Sequence, residues 1–221
     1  MALELITMTT KDGVELDGGL YAPPAGIAPR DAGILIVHGL TWNFYRGPSR
    51  WLPPLLTGAG FTCLSLNMRD HDLSAPKEFE NAHHDVRAGI DTLLSHGAGE
   101  VVLLAHGYAC NKIVSYPAQS GDGRPMRRVL TTLGSIKSYR PDIWDQVLQS
   151  AAELRGDTLV VQGAADALID PRARSDELVA AAVQARVDVV LLDGADHYFN
   201  DRHAQLADCV LGWLRGSGDR P

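Results

Sequence analysis

The chain has 221 residues, of which 45% are hydrophobic and 21% charged, with 20 Lys+Arg against 27 Asp+Glu and a formal net charge of −7. This is the composition of one globular domain long enough to bury a substantial core, not of a disordered or fibrous chain. The acidic balance without a basic run argues against a nucleic-acid binder. Three widely spaced cysteines, Cys63, Cys110 and Cys209, with no C-x-x-C pair argue against a disulfide framework or zinc knuckle.

Met1–Asp12 lacks the basic start and apolar stretch of a secretory signal, so a cytoplasmic location is expected. Leu3–Thr9 and Val14–Tyr21, joined by the turn residues Lys11-Asp12-Gly13, read as an antiparallel hairpin. Gly33–Val37 is a continuous apolar run, the pattern of a strand covered on both faces. Ser49–Gly60 reads as a helix in which Pro53-Pro54 occupies the first turn or forces a kink. Phe61–Leu66 is the next strand, and Asn81–Ser95 the clearest helix, with Val86, Ile90, Leu93 and Leu94 on one face. Strand Val101–Leu104 is followed by a helix from Tyr108 to about Pro117, strand Arg127–Leu133 and one short helix within Pro141–Leu154. Strand Thr158–Val161 comes next, and Asp170-Pro171 supplies an N-cap and N1 proline for a helix to about Ala185. Val187–Leu192 is the last strand. Leu206, Val210, Trp213 and Leu214 give the closing helix an apolar face. No run is long enough to span a membrane, Val189–Leu192 being among the longest. The alternation predicts an α/β domain over 1–215, a doubly wound, mostly parallel eight-stranded sheet, with a frayed tail at 216–221.

Three features fall at strand ends, where open α/β sheets keep their sites. His38-Gly39-Leu40 follows the first apolar strand, and Ala105-His106-Gly107-Tyr108-Ala109 joins strand 101–104 to its helix. The third is a pair, Gly163-Ala164-Ala165-Asp166 and Gly194-Ala195-Asp196-His197, after the last two strands. In these motifs and their order the chain resembles the α/β-hydrolase superfamily over nearly its whole length. The resemblance implies a small-His-Ser-x-small nucleophile elbow and a triad in the chain order nucleophile, acid, histidine. Position by position it makes Asp166 the acid, His197 the base, Gly107 the elbow residue, and the N–H groups of Leu40 and Tyr108 the oxyanion hole. Gaps of 59 residues from 107 to 166 and 31 from 166 to 197 leave room for the intervening elements. Ala109-Cys110-Asn111-Lys112 is similar to a subgroup of uncharacterised hydrolases.

The departure from that pattern is Gly107, which has no side chain and cannot be a nucleophile. Without the hydroxyl the acyl-enzyme route is closed, while the base, its carboxylate and both backbone donors remain. Glycine also relieves the strain of an elbow held at positive φ. Three readings follow. The first is an enzyme in which His197 and Asp166 act as a general base without a covalent intermediate, by water-driven hydrolysis or by lyase, isomerase or cyclisation chemistry. The second is a non-catalytic binding protein on a hydrolase fold. The third is a serine esterase or thioesterase inactivated by Ser-to-Gly replacement at position 107.

Other residues read more plainly. Cys110 lies almost one helical turn past the elbow and is expected to be a small buried hydrophobe. Ser135 reads as a loop hydroxyl and His106 as a packing residue. Asp70-His71-Asp72 and His83-His84-Asp85 lie on different elements and read as a polar loop and a helix N-terminus, so no metal is expected. Trp42, Phe44 and Tyr45 are expected to line the mouth of the site, with His38, Tyr139 and Trp144 also contributing to substrate binding. Only about twenty residues separate strands 127–133 and 158–161, too few for a sizeable cap, so the site is expected to be open and shallow. Ile136, Tyr139, Ile143 and Trp144 make that stretch apolar and aromatic, pointing to a small apolar molecule as substrate or ligand. With no Gly-rich phosphate loop after the first buried strand, no cofactor is expected. Nothing in the sequence indicates the oligomeric state.

Overall fold

Continuous apolar runs form the centre of the molecule because both faces of each are covered. Strand β3 (Ala32–Val37) is buried at all six positions, as is β7 (Thr158–Gly163). Along β3 the side chains alternate: Leu35 and Val37 join one apolar cluster, Ile34 and Ile36 the other. The computed structural model of the chain describes residues 2–71, 79–133 and 141–216. Among these, eight strands form one sheet in the order β1-β2-β4-β3-β5-β6-β7-β8. β1 (Ala2–Thr9) pairs antiparallel with β2 (Glu15–Ala22), which pairs antiparallel with β4 (Thr62–Leu66). From β4 onward, through β3, β5 (Glu100–His106), β6 (Arg128–Thr131), β7 and β8 (Val187–Leu192), all pairing is parallel. The C-terminal ends of β3, β5, β7 and β8 therefore meet at one edge of the sheet, and each delivers one of the loops singled out by sequence.

Helices cover both faces. Leu52 and Leu56 of α1 (Pro48–Thr57) and Leu206, Val210 and Leu214 of α6 (His203–Gly216) pack in one cluster. The other holds Val86, Ile90 and Leu93 of α2 (Ala82–Ser95), Ile113 and Val114 of α3 (Ala109–Ser120), Val147 of α4 (Pro141–Ala151) and Leu178 of α5 (Ala173–Ala181). No helix of the described residues is long and apolar enough to cross a membrane.

Several boundaries differ from expectation for local reasons. α3 does not stop at Pro117 but runs through it to Ser120, where Gly121 in the left-handed region donates its N–H to the Pro117 carbonyl. Pro53 and Pro54 fall in the middle of α1 rather than its first turn, because the helix already begins at Pro48. β6 ends sooner than expected because Thr132 turns to φ +54°, although its N–H still donates to the Val161 carbonyl of β7 at 3.0 Å. α5 is also short: Asp170 caps the N–H groups of Arg172 and Ala173, as its residue type suggests, but the helix ends at Ala181. α6 extends through Gly216, and the tail 217–221 lies outside the described residues.

Candidate active site

The loop after β7 and the loop after β8 are joined by backbone. Ala164 N–H donates to the Leu192 carbonyl and Ala165 N–H to the Ala195 carbonyl, both at 2.9 Å. Such contact is possible because residue 163 is glycine: a Cβ there would lie 2.5 Å from the Ala195 oxygen and 2.6 Å from that of Asp196. The approach sets His197 Nδ1 2.8 Å from Asp166 Oδ2. Asp166 is itself fixed, its Oδ1 accepting the N–H groups of Leu168 (2.7 Å) and Ile169 (3.1 Å). Its side chain is wholly buried, while that of His197 is 20% exposed. With Nδ1–H donated to the carboxylate, the imidazole presents Nε2 as an acceptor, and Nε2 has no hydrogen-bond partner among the described residues.

The elbow keeps the backbone its sequence context implies. Gly107 sits at φ +59°, its N–H donating to the Thr131 carbonyl and its own carbonyl accepting Cys110 N–H as α3 begins. A Cβ at Gly107 would meet nothing within 4 Å, so the space of a side chain is open there. His106, just before it, places its ring 5.9 Å from that of His197. The loop after β3 touches this turn, since a Cβ on Gly39 would lie 3.3 Å from the His106 carbonyl. Within that loop the Leu40 N–H has no acceptor among the described residues, and Tyr108 stands at the N-terminal end of α3. The candidate oxyanion donors therefore belong to two segments, the loop after β3 and the start of α3, that meet at this turn.

Around the imidazole stands an aromatic wall. Trp42 stacks on His106 at 5.2 Å with planes 7° apart, and Tyr198 packs edge-on to His197 at 4.8 Å and against Trp42 at 5.4 Å. Tyr198 was not singled out by sequence; its only signal is that it directly follows the candidate base. Thr132 was missed too, and its hydroxyl donates to the His197 carbonyl at 2.8 Å, tying the histidine loop to the end of β6. His106 is a buried neutral filler. Its Nδ1 donates to Thr131 Oγ1 at 3.1 Å, and burial, aided by His197 nearby, pulls its pKa down to about 3.

Several expected binding residues are committed elsewhere. His38 is buried with both ring nitrogens used: Nδ1 donates to the Gly39 carbonyl (2.8 Å) and Nε2 accepts Met68 N–H (3.0 Å). Burial first, then the Lys112 charge, lowers its pKa to about 4, so it holds the loop rather than a substrate. Trp144 is buried in the core beneath α5, with Nε1–H donated to Glu177 and the Arg174 guanidinium over its ring; Ile143 is buried likewise. Phe44 lies over β2 at Gly19, with Tyr45 as its ring neighbour and its backbone held by Asn67 and Ser65. Only Trp42 of that aromatic run reaches the rings around His197. Cys110 is buried with Sγ turned to the Ala105 and Thr131 carbonyls, and burial pushes its thiol pKa up. Tyr139, Ser135, Ile136 and Asp72 lie outside the described residues.

Most described residues of the two His/Asp groups are engaged within the fold. Asp85 holds Arg69, and Asp70 holds the buried Lys112 at 2.5 Å. His71 and His83 bond the Met68 and Glu80 carbonyls.

No protein-family model matches the sequence, and no curated protein matches it. Solved structures do. A lidless α/β serine hydrolase from Xanthomonas campestris superposes with a TM-score of 0.76 at 16% identity, over 97% of this chain and 94% of that one. An α/β serine hydrolase homologue from Coxiella burnetii gives 0.75 at 16% identity over 97% and 98% of the two chains. A dienelactone hydrolase from Anabaena variabilis gives 0.75 at 16% over 97% of each. The chain has the α/β-hydrolase fold, and among the described residues no segment outside that core forms a lid.

Proposed function

We propose that this protein hydrolyses small apolar esters or related activated carbonyl compounds by a general-base route without an acyl-enzyme. The observation that carries the reading is the His197–Asp166 pair, a buried carboxylate fixed by two backbone N–H groups and holding an imidazole whose Nε2 is unengaged. A site with no proton to move has no use for that arrangement. Water in the open space at Gly107 loses a proton to Nε2 as its oxygen attacks the substrate carbonyl. The imidazolium formed is stabilised by Asp166. The Leu40 and Tyr108 N–H groups donate hydrogen bonds to the carbonyl oxygen as negative charge develops on it. Collapse of the tetrahedral intermediate returns the proton from His197 to the departing alkoxide, giving acid and alcohol. Trp42 and Tyr198 offer an apolar wall to the substrate.

The test is turnover of p-nitrophenyl acetate by the purified protein and its His197→Ala variant. Loss of a positioned general base is expected to lower kcat/KM by roughly 10²- to 10⁴-fold. An unchanged rate overturns the reading. If esters raise the melting temperature without being consumed, the site binds only.

A second reading, a serine esterase deprived of its hydroxyl, is favoured by one observation: the elbow keeps φ +59° with room for a side chain. Gly107→Ser separates the two. Strong labelling by a fluorophosphonate and a faster esterase would support serine chemistry; an unlabelled variant would support a site set for water.

A further inference from the structure

Among the described residues, the non-glycine positions with positive φ are Thr41, Thr132, Phe199 and Asp201. All of them lie by the candidate site. Thr41 follows Leu40, Thr132 bonds the His197 carbonyl, and Phe199 and Asp201 belong to the loop that carries His197. Left-handed backbone is costly for a residue with a Cβ and gathers where a site requires it. Thr41 and Thr132 are β-branched, the side-chain type least tolerant of it. Of these two only Thr132, at φ +54°, is buried.

The turn at Thr132 is imposed from both sides. Its N–H donates to the Val161 carbonyl at 3.0 Å. The buried amide of Gln162 then clamps the next residue, accepting Leu133 N–H at 2.9 Å and donating to the Leu133 carbonyl at 3.1 Å. What the turn achieves follows from the alternation of β6. Val129 packs in the cluster of α1 and α6, Leu130 in that of α2 to α5. An extended residue 132 would point to the same side as Leu130. Ala195 and Phe199, which flank His197, belong to the other cluster. The left-handed turn therefore carries the Thr132 hydroxyl away from the Leu130 side to the His197 carbonyl, 2.8 Å away.

That carbonyl has no other donor among the described residues. Other backbone ties of this loop fall beside His197 rather than on its peptide. Leu192 and Ala195 accept from Ala164 and Ala165 before it, and Asp196 accepts the N–H groups of Tyr198 and Asn200 after it. We propose that Thr132 is a positioning residue, whose hydroxyl holds the His197 peptide so that the imidazole meets Asp166. Its effect on rate rests on the general-base reading; its effect on the imidazole does not. Glycine at 132 would take the same φ without strain but bring no hydroxyl, so stability and site geometry should diverge there.

The experiment compares Thr132→Gly, Thr132→Val and Thr132→Ser with the unmodified chain. Proton NMR reads the Nδ1–H of His197, assigned by its loss in His197→Gln, and p-nitrophenyl acetate turnover gives kcat and KM. Thr132→Gly is expected to melt close to the unmodified chain, yet with the Nδ1–H signal weakened or lost. Its kcat is expected to fall roughly 10- to 100-fold with little change in KM. Thr132→Val keeps the shape without the hydroxyl and is expected to lose as much. Thr132→Ser keeps the hydroxyl and is expected to retain both signal and rate. An intact signal in Thr132→Gly and Thr132→Val would overturn the proposal. So would a loss in Thr132→Ser as large as in Thr132→Val, or an unmodified chain without the signal. If Thr132→Val does not fold, Thr132→Gly decides. If the unmodified chain does not turn over the ester, the general-base reading fails, and the NMR comparison still decides the role of Thr132.

Discussion

Gly163→Ala tests how closely the carboxylate and imidazole loops depend on one missing side chain. A Cβ at 163 would sit 2.5 Å from the Ala195 oxygen and 2.6 Å from that of Asp196, both backbone atoms that no side-chain rotation can move. Reaching an ordinary contact of 3.4 Å requires the loop after β8 to retreat by about 0.9 Å. Overpacking of this kind costs about 1–3 kcal/mol, which for a chain of this size lowers Tm by roughly 2–12 °C. The retreat also bears on the 2.8 Å His197–Asp166 bond and the 2.9 Å Ala165–Ala195 bond beside it. Misplacement by about 1 Å is enough to lower a catalysed rate on the order of 10²-fold. Scanning fluorimetry gives the Tm, and proton NMR follows the strongly hydrogen-bonded Nδ1–H of His197, which should weaken or vanish. A variant with native Tm and an intact Nδ1–H signal would refute the claim that Gly163 is required for the approach.

Lowering the pH should destabilise the fold. His38 and His106 have folded pKa values near 4 and 3, below the ordinary 6.5, so the unfolded chain binds more protons as pH falls. Their contribution is complete above about 6.5 and is lost progressively toward pH 4 and below, each unit being worth about 1.4 kcal/mol. Tm measured from pH 8 to 4 should fall through that window, less steeply for His38→Gln; a flat profile would contradict it. Lys112→Met should cost about 3–5 kcal/mol in urea unfolding, because it strands the buried Asp70, whose Oδ2 already lacks a partner. The Lys112→Met/Asp70→Leu double variant should recover most of that loss; equal losses in single and double variants would deny the coupling. Asp166→Asn should reduce esterase kcat by roughly 10⁴-fold with little change in KM, since the wrong imidazole tautomer is then favoured.

What could be read from the chain without coordinates was whatever depends on local periodicity or on chain order. Ile34, Val102 and Val161 lie in continuous apolar runs, and runs of that kind become central strands whatever surrounds them. Asp166 and His197 were recognisable because each follows a strand of the same parallel set, and parallel order delivers both to one edge. For Trp144 the sequence does not decide the environment, because an aromatic on a short amphipathic helix can face a site or the core equally well, and here it faces the core. Its partner Glu177 is 33 residues away. His38 misled for a similar reason: its partner for Nε2 is a backbone N–H thirty residues on, and backbone donors leave no mark in sequence. Tyr198 leaves no mark in the sequence because it lies in a turn outside any periodic element, and Thr132 leaves none because the apolar pattern carries it within strand 127–133, which in fact ends at Thr131. Their positions follow from turns in which Phe199 and Thr132 itself take φ of +57° and +54°.

The elbow shows that its geometry does not depend on the hydroxyl it usually carries. The turn at Gly107 is held by Gly107 N–H on Thr131 and by Cys110 N–H on Gly107, neither of which involves a side chain at 107. Its φ of +59° is therefore imposed by β6 and the start of α3, and a serine placed there would inherit it. The cost is the left-handed strain of a non-glycine residue, about 1–2 kcal/mol, with no added clash because the Cβ meets nothing within 4 Å. Gly107→Ser should thus fold with a Tm only about 2–8 °C lower. If instead the variant loses far more stability, the space is not open, and the water that the general-base mechanism requires has no room beside His197 either. Stability of a single variant therefore bears on the chemistry before any substrate is known.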